Sequence, residues 1–214
     1  MRHLPDLRYT VLTLALIAGP ALGQNAPVID NSRVTVHDIA LSPGAPALTL
    51  KHAHPYVTMF LEGGSLRING QVETHQVGDA VYRPSGSETD QAVSGRPHLV
   101  VVDLNEAQPP PPLHNPTQYP LAFPRPGVKK VLENDRVIVW NYAWQPGKPT
   151  PMHFHDKDVV VIYRGEGTLD SVTPDGKHAV TPHHFGEIRF NKANRSHYEL
   201  LTQGAQSAIM MELK

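Results

Sequence analysis

The chain reads as an all-β protein of the sandwich-or-barrel kind, and three observations lead there. After residue 23, short runs rich in Val, Ile, Leu, Tyr and Trp alternate with Gly, Pro, Asn and Asp clusters, the pattern of many short strands joined by turns. No window in that region keeps a period of 3.6 over three helical turns. Proline is abundant, at 21 of 214 residues; it fixes φ and removes a backbone donor, which disfavours long helices.

Taken in order, the apolar runs predict strands over 34–39, 57–61, 66–69, 80–83 and 99–104, then over 137–144, 159–163, 168–172, 187–191, 197–201 and 208–213. The two sets repeat one another at an offset of 103. Asn31-Ser32-Arg33-Val34-Thr35-Val36 matches Asn134-Asp135-Arg136-Val137-Ile138-Val139, Pro43-Gly44 matches Pro146-Gly147, and Gly64-Ser65-Leu66 matches Gly167-Thr168-Leu169. Anchors that keep their order point to a duplicated unit. The expected organisation is a first unit over 24–104, a proline-rich linker over 105–128 and a second unit over 129–214. The linker is expected to be extended and stiff, and simply to connect the units.

Residues 1–23 have the order of a secretory signal peptide: Arg2 and Arg8, an apolar run over 11–18, a break at Gly19-Pro20, and small Ala21 and Gly23 before Gln24. The alternative, a membrane anchor, is disfavoured because the run falls short of the roughly 20 residues a span needs. Export to the periplasm or beyond is therefore expected. There is no cysteine, so disulfides and thiolate metal sites are excluded. With 19 basic and 20 acidic residues, the charge balance argues against nucleic acid or an acidic membrane surface as partner. A small molecule remains as the expected ligand or substrate.

Histidine is unusually frequent, at 13 residues, and its distribution is not even. His153 and His155 stand two apart, which on a strand puts both imidazoles on one face. Gly147 precedes them at G-x5-H-x-H spacing, and Gly186 and His197 follow at the spacing G-x5-P-x-G-x2-H, with Lys192 and Asn194 where proline and glycine are usual. Together these resemble the two motifs of the cupin superfamily, and the duplication resembles a bicupin.

That resemblance implies two tandem cupin barrels, each a double-stranded β-helix or jelly roll. It implies His153, His155 and His197 as metal ligands, with Asp158 where the family has a glutamate. Three roles are open to Asp158: ligand, hydrogen-bond partner of a histidine, or a side chain facing water. Glu199, two beyond His197 on the same strand face, is the alternative acid. Imidazoles without thiolates suit Fe, Mn, Ni, Cu or Zn as divalent ions and leave coordination positions open. If the protein is an enzyme, the resemblance implies a dioxygenase-, isomerase- or lyase-like role, with Asp158, Glu199 or Tyr163 as proton carriers. The other readings are a non-catalytic periplasmic protein binding a small ligand or metal, and a structural cupin with a decayed site. Dimerisation through barrel edges is expected from the family alone.

The first unit is expected to carry a degenerate site. His52 and His54 repeat the histidine pair, but Gly44 lies two residues too far away, no acid follows, and Thr89 stands where the histidine is usual. His75 and Glu88 are the residues that could complete it. Among the remaining candidates, Trp140, Tyr142 and Trp144 share a strand face and are expected in the core rather than as a ligand platform. His183 and His184 point to opposite faces, and His98 and His114 are expected to be exposed.

Overall fold

A computed structural model of the chain describes residues 26–106 and 113–214; the expected signal segment and the proline run 109–112 lie outside the described residues. Every helical or strand element described is a strand. The first half comprises β1 (Ile29–Asp30), β2 (Val34–Ala40), β3 (Leu48–His52), β4 (Tyr56–Ile68), β5 (Gln71–His75), β6 (Ala80–Arg83) and β7 (Gly86–Leu104). These form one seven-stranded sheet. Its long strands serve two sets of neighbours: β4 meets β6 through 56–59 and β5 through 64–68, while β7 meets β3 through 86–90 and β2 through 98–104. A sheet handed on in this way wraps around its own interior.

The second half comprises β8 (Lys129–Glu133), β9 (Val137–Ala143), β10 (His153–His155), β11 (Asp158–Tyr163), β12 (Glu166–Val172), β13 (His178–His183), β14 (Ile188–Asn191), β15 (Arg195–Ala205) and β16 (Ser207–Leu213). They form two sheets, ordered β10-β15-β12-β13 and β14-β11-β16-β9-β8, with antiparallel ladders throughout. This is an all-β jelly-roll architecture, as the sequence predicts.

Side-chain alternation divides the apolar residues among three cores. In β4, Tyr56 and Phe60 point into the first unit, while Val57, Met59 and Leu61 point out of it. In β11, Val159, Val161 and Tyr163 point into the second unit, while Val160 and Ile162 point out. The outward residues of both halves are themselves fully buried in one shared core that includes Val100, Val102, Ile209 and Met211. Both faces of these strands are thus covered, which is why runs such as 99–102 and 159–163 are continuously apolar rather than alternating. Ile162 has no exposed surface in that shared core, so Ile162→Ala is expected to cost about 2–5 kcal/mol in urea unfolding.

The strands missing from the sequence reading, such as β5 and β13, are mostly solvent-exposed and carry polar residues. The segment leading into β8 also departs from expectation, because it is more than a connector. Ala122 N donates to Phe154 O, Phe154 N donates to Pro120 O, both at 2.8 Å, and Leu121 bridges Phe154 in parallel. Ala122 and Phe123 are buried in the second unit's own core.

Candidate metal centre

Three histidines meet at the edge of the second unit's interior. In the β10–β15 ladder His153 lies opposite His197 and His155 opposite Arg195, so strand periodicity puts all three imidazoles on one face. Asn194, at φ +60°, turns the chain into β15 and donates its N–H to His155 O at 2.8 Å. Asparagine tolerates this left-handed conformation, so it does the work of the glycine usual in the motif. The imidazole atoms available as ligands lie within 4.8 Å of one another. His155 Nε2 is 3.2 Å from His153 Nε2 and 3.1 Å from His197 Nε2.

Contacts behind the rings aim them. His153 donates Nδ1–H to Pro151 O at 2.8 Å, which leaves its Nε2 as a lone pair facing the cluster. His197 Nδ1 lies 2.7 Å from Ser171 Oγ. His155 Nδ1 is buried with no partner. The three residues are 2%, 5% and 8% exposed. Burial, seconded by Arg125, holds His153 at about 4. Burial likewise brings His197 to about 4 and puts His155 well below its ordinary value, with Arg195 adding to the effect on both. Neutral imidazoles with convergent lone pairs fit a borderline divalent transition metal, and three of them leave positions open. Because a partner behind a ligand typically contributes 10–100-fold to metal affinity, Ser171→Ala is expected to weaken binding by roughly 10-fold in a metal titration.

Glu199 joins the site as the strand alternation predicts. Its Oε2 accepts from Trp144 Nε1 at 3.1 Å and from Arg125 Nη2 at 3.3 Å. Burial alone would raise this carboxyl, but Arg125, His197, His153 and the Trp144 N–H together hold it at about 2. It is therefore a fixed anion, occupied by two donors. Tyr163 lines the same cavity, stacked on His183 at 3.9 Å, and burial raises its phenol above the usual range.

Asp158 does not join the three histidines. It alternates with the inward-facing Val159, so its carboxylate points to the other side of the sheet. There Oδ1 accepts from Ala193 N at 2.7 Å and Oδ2 lies 3.5 Å from Arg33 Nε. The expectation that it ligates, supports a histidine or carries a proton at the centre is corrected by that one-residue offset.

Several contributors were not legible in the sequence. Arg125 arrives from the proline-rich segment, with its guanidinium 4.3 Å from the Tyr142 ring centroid and Nη1 3.4 Å from His153 Nε2. Arg195, Ser171 and His183 also line a cavity of about 180 Å³ beside the histidines. Trp140 and Trp144 are buried in the core as expected, with Tyr142 packed against it, although Trp144 also reaches Glu199. His114 is exposed, whereas His98 is half-buried against Asp38 at 2.5 Å.

The first unit lacks the cluster. His52 is committed to Asp103 at 2.8 Å and stacks on Tyr56 at 3.6 Å. Opposite it in the ladder stands Gly86, in the place His197 takes opposite His153. Thr89, expected at that place, instead bonds Thr49 on an exposed face. His75 bonds Glu73 and Glu88 bonds Tyr56. Among the described residues only His153, His155 and His197 converge in a metal-capable group.

A jelly roll with such a histidine cluster is the architecture of a cupin, and the chain belongs to the cupin superfamily. It is 34% identical over 82 residues to the beta-alanine degradation protein BauB of Pseudomonas aeruginosa, a match covering 38% of this chain and 83% of that protein. No family model matches the chain. Among solved structures it resembles a cupin 2 conserved barrel domain protein from Leptotrichia buccalis, at TM-score 0.54 and 12% identity, over 88% of this chain and 87% of the other. It also resembles oxalate decarboxylase of Bacillus subtilis, studied for its Mn(II) centres, at TM-score 0.58 and 15% identity over 85% and 68%. AerE from Microcystis aeruginosa aligns at TM-score 0.61 and 11% identity over 89% and 97%. At these identities the structural likeness establishes the fold alone.

Proposed function

We propose that this chain is an exported bicupin that binds a divalent transition metal through His153, His155 and His197 and acts on or holds a small organic molecule in the adjoining cavity. The observation carrying the reading is the convergence of three buried imidazoles whose ligand atoms lie within 4.8 Å. Such a metal would supply Lewis acidity or oxygen activation at its open positions. The chain's own residues do the rest: Arg125 and Trp144 hold Glu199 ionised, and Tyr163 presents a protonated phenol to the cavity. Glu199, fixed as an anion by two donors, charges the cavity wall and does not exchange protons, which leaves Tyr163 as the candidate proton donor for dioxygenase-, isomerase- or lyase-like chemistry. Fe, Mn, Ni, Cu and Zn all suit the donor set.

Two separable experiments test this. Metal analysis of protein purified without chelator should find stoichiometric metal, and its absence would defeat the reading. Oxygen uptake and product analysis across small organic acids then separate turnover from a purely binding role. Export is supported by the order of residues 1–23, and the mass of the mature chain, expected to begin at Gln24, checks it. Among the described residues no helix is long and apolar enough to cross a membrane. Dimerisation is carried over from the family and is read by sedimentation.

A further inference from the structure

Three arginines line the cavity beside the histidines: Arg125, Arg189 and Arg195. Two of them have a carboxylate. Arg125 pairs with Glu199 at 3.3 Å and Arg189 with Glu187 at 2.5 Å. Arg195 has none within ion-pair distance among the described residues. It donates Nε–H to Lys192 O at 3.1 Å, and its Nη1 approaches His197 Nε2 to 3.4 Å. A guanidinium has five donors in a planar fork suited to a carboxylate, and most of this fork has no protein acceptor.

The Nε2 contact also bears on the charge balance of the site. That nitrogen has a single lone pair, and it is the one a metal would take. Once a metal takes it, Arg195 loses an acceptor and faces a cation a few ångströms away. Two unit charges 4 Å apart repel by about 4 kcal/mol at an effective dielectric constant of 20. Glu199 adds negative charge nearby, but its Oε2 is taken by Arg125 and Trp144 and it makes no ion pair with Arg195. An anion seated between metal and guanidinium would satisfy both.

We infer that Arg195 anchors a small carboxylate that binds between its guanidinium and a metal held by His153, His155 and His197, so that metal and carboxylate bind cooperatively. The inference rests on the metal-centre reading above. A cavity of about 180 Å³ suits a small ligand, since about 150 Å³ already holds a benzene-sized molecule. A neutral ligand of the same shape lacks the charge that reconciles the two cations, so the coupling belongs to the anion. By linkage the effect is reciprocal: whatever factor the carboxylate adds to metal affinity, the metal adds to carboxylate affinity.

The test is a Mn(II) titration followed by the paramagnetic signal of free Mn(II), run alone, with propionate and with propionamide. Propionate is expected to tighten Mn(II) binding by at least about 10-fold, equivalent to roughly 1.4 kcal/mol, and propionamide to leave it unchanged. In Arg195→Gln, Mn(II) should still bind while the propionate effect disappears; Arg195→Lys should restore part of it. Mn(II) binding that ignores propionate, or an unaltered propionate effect in Arg195→Gln, overturns the inference and leaves the metal centre standing. If no Mn(II) binds to either chain, the titration is repeated with Zn(II), which a three-histidine site holds more tightly; if that fails too, the metal reading fails first, and calorimetry of propionate with metal-free protein decides the rest. Heat that is lost in Arg195→Gln keeps Arg195 as the anion anchor; no heat overturns that too.

Discussion

His197→Ala is expected to lower metal affinity by at least about 100-fold, and His153→Ala by a similar factor, while both variants remain folded. The size follows from the donor set. Loss of a partner behind a ligand already costs 10–100-fold, and removing one of three ligands removes more than that. Either substitution also leaves a hole in a buried site, so its thermal unfolding must be read beside the metal titration. Asp158→Asn is the contrasting variant. Its side chain faces Ala193 N and Arg33 on the other side of the sheet, so metal affinity should be unchanged and stability should fall by about 1 kcal/mol or less. A loss of metal in Asp158→Asn equal to that in His197→Ala would defeat this assignment of the centre.

The contrast between Asp158 and the histidines also locates the limit of the sequence. His153 and His155 could be placed on one face because a strand has a period of two, and His197 followed from the spacing of its motif. Glu199 came from the same periodicity. Asp158 could not be placed this way, since both faces of β11 are buried and apolar, leaving no alternation to fix its phase. In such a strand a one-residue offset exchanges the two faces. Arg125 was illegible for another reason: it lies on a proline-rich segment without periodicity, and only the pairing of that segment with β10 brings it to His153. The strands β5 and β13 lacked an apolar signal because their residues are mostly exposed.

The first unit supplies the second large effect, and here it concerns stability. Glu88 and Asp90 point inward from β7 and are 2% and 1% exposed. Glu88 Oε2 accepts from Tyr56 O–H at 2.7 Å and lies 3.1 Å from Arg83 Nε. Asp90 hydrogen-bonds Glu88 and has Arg83 and His52 as its nearby cationic or titratable groups, while its own Oδ1 has no partner. With Tyr56 donating to Glu88, and Arg83 beside it but hydrogen-bonded to Glu73, burial and the neighbouring Glu88 favour the protonated form of Asp90. Burial first, and Glu88 second, push Asp90 from 3.8 up to about 7. A carboxyl raised on folding adds stability that is fully present below its unfolded value and is lost as pH rises through the folded one. Asp90→Asn keeps a donor toward Glu88 and cannot ionise, so it should escape that loss. The stability difference between variant and parent is therefore expected to widen in the variant's favour by roughly 3 kcal/mol between pH 5 and pH 8. Urea unfolding of the metal-free chains at both pH values reads it directly. A difference that stays constant across that interval would mean that Asp90 is already ionised in the fold at pH 5.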